Sequence, residues 1–183
     1  MEYSTLLALM TIVFSFIMLF TIVSTLREKN YNFLFENIAV YVFYLVFLAI
    51  QYILKFQVAA FIIFMVLLTI IGDSLIGKHL NFYNRSKYYD RFLHALGSFS
   101  FSLFFYSILS KVTTYIIFPK LYGCIFVAAI GISLGCIFEI YEFISDTANK
   151  INNQHGLIDT NFDLISDVVG AVIAGIVSRL IFF

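Results

Sequence analysis

Asp90 and His94 stand four residues apart in this sequence, Glu139 and Glu142 three apart, and Asp163 and Asp167 four apart. Residues at these intervals share one face of a helix. Three segments therefore each present an acid-bearing face, one of them with an imidazole. Asp146 continues the Glu139–Glu142 stripe, Asp159 precedes Asp163, and Gly97 and Gly170 extend the other two stripes. Carboxylates with one histidine suit a hard or intermediate divalent cation: Mg²⁺, Mn²⁺, Ca²⁺ or Zn²⁺. Coupled acids of this kind suit a proton relay equally well.

Helix capping accounts for part of this set. Asp90, Asp159 and Asp163 fall at predicted helix N-termini, where carboxylates satisfy free N–H groups and suit the dipole, and Thr160–Asp163 reads as a capping box. Glu139, Glu142 and Asp73 instead fall near predicted C-termini, where negative charge costs roughly 0.3–1 kcal/mol. Glu142 and Asp146 repel at i,i+4. Asp167 and Glu139 lie roughly 10 Å inside their helices at about 1.5 Å per residue, too deep to cap anything. A bound cation, protonation of some carboxyls, or basic partners must offset this arrangement. Basic partners are few: Arg91 points about 100° from Asp90 on a helical wheel, and Lys78, Arg85 and Lys87 fall in a predicted loop. His94 is the imidazole at useful depth, while His79 and His155 fall in predicted loops. No HExxH, GxSxG, P-loop or CxxC motif occurs, so zincin, hydrolase-elbow and nucleotide-binding readings have no support.

The elements that position these residues follow from composition. The 183-residue chain is 62% hydrophobic and 12% charged, with a mean hydropathy of +0.97. Average globular domains are roughly a quarter charged, so a soluble fold and a disordered chain are both excluded. The zero net charge gives no basis for a nucleic-acid partner. Six stretches reach the roughly 20 apolar residues a membrane helix needs: about 4–26, 37–54, 58–77, 89–110, 122–145 and 160–183. The expected fold is an all-α, polytopic membrane helix bundle, a single transmembrane domain over 1–183. The first stretch is too long for a signal-peptide core and no cleavage site follows it, so it is expected to remain.

Ends of odd spans and starts of even spans share a side of the membrane. Every acid except Glu2 falls on that side, as do all the histidines. Arg27, Lys29, Lys78, Arg85, Lys87, Arg91 and Lys150 lie there too, against Lys55, Lys111, Lys120 and Arg179 opposite. This imbalance favours a cytoplasmic acidic end of a cell-membrane protein. Tyr31, Phe33, Phe35, Phe82, Tyr83, Tyr88, Tyr89, Tyr115, Phe118 and Tyr122 mark interfacial belts. Pro119 separates spans four and five without breaking a helix. Gly131 with Gly135, and Ala171 with Gly175, are small-xxx-small pairs expected to pack within the bundle. Cys124 and Cys136, too far apart along one helix to be bridged, read as small buried residues. Asn84-Arg85-Ser86 matches a glycosylation sequon, a pattern frequent by chance.

Asp90-Arg91-x-x-His94, Glu139-x-x-Glu142 and Asp163-x-x-x-Asp167-x-x-Gly170-x-x-x-x-Gly175 together resemble the YjdF-like group of small bacterial membrane proteins. More distantly they resemble the VanZ-like proteins, which carry Asp-Lys-x-x-His at the start of one span. Arg91 replaces that Lys, and Val169 stands where VanZ-like proteins favour Asn. The resemblance covers about 88–175 and implies a multi-pass bacterial membrane protein; the VanZ-like link implies an association with glycopeptide resistance.

Three classes of function fit these residues. In a metal-dependent enzyme acting on a lipid head group or envelope precursor, Glu139, Glu142, Asp163 and Asp167 hold the cation. Asp90 and His94 then form a general acid/base pair. In a proton- or cation-coupled transporter or flippase the acids form a relay. In a non-catalytic immunity or scaffold protein they stabilise the fold. Membrane lipids are the expected partners, with a lipid-linked or envelope ligand in the first reading.

Overall fold

The computed structural model describes residues 3–113, 119–149 and 153–183, so Glu2, Tyr115, Phe118 and Lys150 lie outside the described residues. Among the described residues there is no strand. Six helices among these residues are long and apolar enough to cross a membrane. They are α1 (Tyr3–Arg27), α2 (Tyr31–Ile53), α3 (Ala60–Ile71, continued by a π-helical segment Gly72–His79), α4 (Lys87–Val112), α5 (Lys120–Asn149) and α6 (Leu157–Ile181). Exposed side chains such as Ile12, Phe16, Phe35, Ile137 and Ile176 offer lipid an apolar coat.

The helices outrun the apolar stretches because polar residues continue and cap them at the membrane edge. Asn30 accepts a hydrogen bond from the Phe33 N–H and starts α2 well before residue 37. The third span runs on through a π turn, closed by the Leu80 N–H to Leu75 carbonyl bond, so Lys78 lies in the helix instead of a loop. Lys87 likewise opens α4. Gly156, at φ 106°, precedes α6, which therefore begins at Leu157. Thr160 sits inside the helix, and the expected capping box does not form, because its hydroxyl is a turn too late to reach the free N–H groups.

Two compact units divide the chain, Met1–Ser86 and Lys87–Phe183. In the first, Lys78 Nζ contacts Glu36 at 2.9 Å and Asp73 at 3.1 Å, while the Tyr83 hydroxyl donates to Asp73 at 2.7 Å. Phe33, expected in an interfacial belt, is buried with the Lys78 ammonium 5.7 Å from its ring centroid. His79 lies near Ser24 (3.5 Å) and Glu28 (3.7 Å). Asp73 and His79 thus have partners of their own within this unit.

In the second unit α4, α5 and α6 pack pairwise against one another. Small residues allow it. α4 buries Ser98, Ser100, Ser102 and Ser107, whose hydroxyls can bond the carbonyl a turn earlier, as Ser102 does to Ser98. A Cβ on Gly170 would strike the Ala95 carbonyl, and one on Gly131 would meet Ser102 and Ala171. The small-xxx-small positions thus pack inside this unit, as the sequence led one to expect. Cys124 is half-buried, but Cys136 is exposed and not buried as expected, since it lies on the face of α5 turned from its two neighbours.

Candidate functional site

All six sequence-selected residues lie in the second unit, on the three helices that pack there. His94, Glu139, Asp163 and Asp167 are nearly inaccessible, at 8%, 5%, 3% and 2% exposed. Charge at such depth in a membrane helix is costly unless neutralised or paired.

His94 is the hub. Its Nδ1 lies 3.2 Å from Asp167 Oδ2, and the other oxygen of Asp167 accepts the Ser98 hydroxyl at 2.6 Å. This contact holds the imidazole in one orientation, and a tautomer carrying the proton on Nδ1 would donate to Asp167. The opposite nitrogen, Nε2, faces two further carboxylates: Asp90 Oδ1 and Glu139 Oε1, each at 3.7 Å. Phe138 stands edge-on to the imidazole, ring centroids 5.5 Å apart. Ser98 was not singled out in the sequence, though its i,i+4 position from His94 on the acid-bearing face signals it.

Among the described residues, two buried carboxylate oxygens have no hydrogen-bond partner: Glu139 Oε1 and Asp163 Oδ1. An unsatisfied buried polar atom costs about 1–3 kcal/mol, so both are unusual for a finished core. Asp90, His94 and Asp163 each offer a ligand atom within 4.8 Å of the others, as do His94, Glu139 and Glu142. A metal ion could be held by either group, and the two meet at His94. Asp167 stands outside both, its oxygens occupied by His94 and Ser98.

Residues 153–156, before α6, close one flank. Asp146 accepts the backbone N–H groups of Asn153 (2.8 Å) and Gln154 (2.9 Å), and the Gln154 amide donates to the Glu139 carbonyl (2.9 Å) and Oε2 (2.8 Å). Asp146 therefore organises this segment instead of extending the acidic stripe. No periodicity marks Gln154, which reaches the site from a loop. Beside it opens a groove of about 470 Å³, lined by the apolar Phe143 and Leu157 and by the polar Asp146, Thr147, Gln154 and Thr160. On the other flank Asp159 lies 3.9 Å from Arg91 Nη2 and 3.4 Å from His155 Nδ1.

Six apolar helices and a buried carboxylate–histidine cluster define a multi-pass membrane protein. Residues 6–182 match the family described as "Predicted membrane protein (DUF2238)", and the chain belongs to that family. A Thermotoga maritima protein named "Uncharacterized protein" is 38% identical over 99 residues, covering 53% of this chain and 50% of the relative. The chain thus spans about half the length of this curated relative. No solved structure matches.

Proposed function

We propose that the cluster binds a divalent cation through His94 Nε2 together with one of the two carboxylate pairs that meet at it, Asp90 with Asp163 or Glu139 with Glu142. The observation that carries this reading is the spacing of carboxylate oxygens around Nε2. With Nδ1 against Asp167, Nε2 turns toward two carboxylate oxygens at 3.7 Å, beyond hydrogen-bond distance. Two ligand atoms about 2.1 Å from a tetrahedral ion stand about 3.4 Å apart, close to the spacing seen. Each pair includes a carboxylate with a partnerless oxygen, Asp163 in one and Glu139 in the other, which an ion there would satisfy. Metal-bound histidines typically donate their other N–H to a carboxylate, the part Asp167 plays here, itself steadied by Ser98.

In this reading Asp167 orients a ligand and His94 is a ligand, where the sequence alone suggests Asp167 on the cation and His94 with Asp90 as acid/base pair. The mixed donor set suits Mn²⁺ or Zn²⁺ better than Ca²⁺ or Mg²⁺, which favour oxygen alone. A cation at a membrane edge beside an amphiphilic groove fits an enzyme acting on a lipid head group or lipid-linked envelope precursor, the ion polarising an oxygen or lowering the pKa of a bound water. The excess of Lys and Arg in the sequence on this side supports a cytoplasmic acidic end in a cell-membrane protein. Family membership supports the YjdF-like resemblance; the VanZ-like one rests on the Asp90–His94 segment and the acidic last span.

Equilibrium dialysis of the purified chain against Mn²⁺ or Zn²⁺, followed by elemental analysis, tests the proposal. About one ion per chain is expected, and Asp167→Asn is expected to weaken binding about 10–100-fold, as loss of a ligand-orienting group does. No stoichiometric ion, or an Asp167→Asn affinity equal to the parent's, overturns it.

A further inference from the structure

Arg91 sits at the rim of this centre and is held in an unusual way. Its guanidinium carbon is 4.1 Å from the Phe162 ring centroid and 5.8 Å from that of Tyr88. Its Nε is buried without a hydrogen-bond partner, and Nη2 reaches Asp159 only at 3.9 Å, beyond hydrogen-bond distance. Aromatic stacking of this kind fixes the plane of a guanidinium without using its N–H donors. Arg91 is i,i+3 from His94 on α4, while Phe162 directly precedes Asp163 on α6. The guanidinium therefore lies about one helical turn from the proposed ligands.

A stacked guanidinium whose buried Nε makes no hydrogen bond, and whose Nη2 meets Asp159 only at ion-pair distance, retains donors for the oxygens of a phosphate. The charges around it set a condition. Asp90, Asp159, Asp163 and Glu139 are all carboxylates of this unit and repel an anion, so a phosphate settles here only when a cation offsets them. A divalent ion held by few protein ligands commonly completes its shell with phosphate oxygens. We infer that Arg91 is the phosphate-recognising residue of this site, which takes a phosphate-bearing lipid head group bridged between the guanidinium and the cation. The inference rests on the metal reading of the same centre and adds the ligand class. Phosphate as such is the shared chemistry; the lipid source is preferred because Arg91 lies near the start of α4, a helix long and apolar enough to cross a membrane, where a head group is within reach while its chains stay in the bilayer.

Calorimetric titration of the full chain in neutral detergent, with and without Mn²⁺, tests it using dioctanoyl phosphatidic acid, dioctanoylglycerol and inorganic phosphate as probes. Phosphatidic acid is expected to bind in the presence of Mn²⁺ and more tightly than inorganic phosphate, with dioctanoylglycerol far weaker. R91A is expected to weaken phosphatidic acid about 10–100-fold, the loss of a charge-assisted contact. R91K, which keeps the charge but loses the planar fork, is expected to fall between them and keeps the test valid should R91A not fold. Unchanged affinity in R91K and R91A, or equal binding of dioctanoylglycerol, overturns the inference. Inorganic phosphate binding as tightly as phosphatidic acid overturns the lipid source. Failure of the unsubstituted chain to bind Mn²⁺ defeats the metal reading itself, whereas Mn²⁺ binding without any phosphate ligand defeats this inference alone.

Discussion

His94→Ala is expected to reduce divalent-ion affinity by more than the about 10–100-fold typical of losing a ligand-orienting group, while the helices remain. The expectation follows from the place of His94 between both possible ligand groups, Asp90 with Asp163 and Glu139 with Glu142. Without the imidazole, the carboxylates keep their charge but lose the element that draws them to one point. Asp167 also loses its partner and retains only the Ser98 hydroxyl. Isothermal titration with Mn²⁺ measures the affinity, and far-UV circular dichroism checks the helices. An affinity within a factor of about two of the parent's, in a variant with intact helices, contradicts His94 as ligand; ordinary metal-ligand roles cost far more.

Gly170→Val is expected to have the largest effect on stability. A Cβ at Gly170 runs into the backbone carbonyl of Ala95, which cannot move without moving α4. Accommodating the larger side chain therefore forces α4 and α6 apart, at the 1–3 kcal/mol or more that overpacking costs. His94 stands one residue before Ala95, and Asp167 one turn before Gly170, so the same displacement lengthens the His94–Asp167 contact now at 3.2 Å. Thermal unfolding in detergent should show a lower midpoint, with ion binding weakened in parallel. Ile176→Leu, on an exposed face of the same helix, provides the reference and should leave both unchanged. A Gly170→Val chain as stable as the Ile176→Leu chain contradicts this packing.

Much of the site is legible in the sequence because the intervals of three and four residues in Asp90–His94, Glu139–Glu142 and Asp163–Asp167 dictate which side chains share a helix face. Three such faces on adjacent, small-residue-rich helices have few ways to pack, and they converge. The six spans are legible for a similarly simple reason: runs of apolar residues this long have no other stable environment. What periodicity does not carry is contact across a loop or around a helix. Gln154 reaches Glu139 from an irregular connection, and the Arg91 guanidinium finds Phe162 although its Cα points away from Asp90 on the wheel. Long side chains and loop geometry escape a wheel that knows only Cβ directions. The division of labour between Asp167 and Asp163 was equally hidden. Both occupy one stripe of α6, and only the nearness of Ser98 and His94 Nδ1 separates an orienting carboxylate from one with an unpartnered oxygen. Helix boundaries differ because capping by residues such as Asn30, and not the edge of the apolar run, ends a membrane helix.

The central claim is that His94 Nε2 and surrounding carboxylates coordinate one cation, and X-ray absorption at the metal edge of the Mn²⁺- or Zn²⁺-loaded chain tests it most directly. The expected spectrum shows oxygen and nitrogen neighbours at about 2.0–2.2 Å, with the outer-shell scattering of a single imidazole that disappears in His94→Ala. A first shell of oxygen alone, without imidazole scattering and unchanged by His94→Ala, would contradict it.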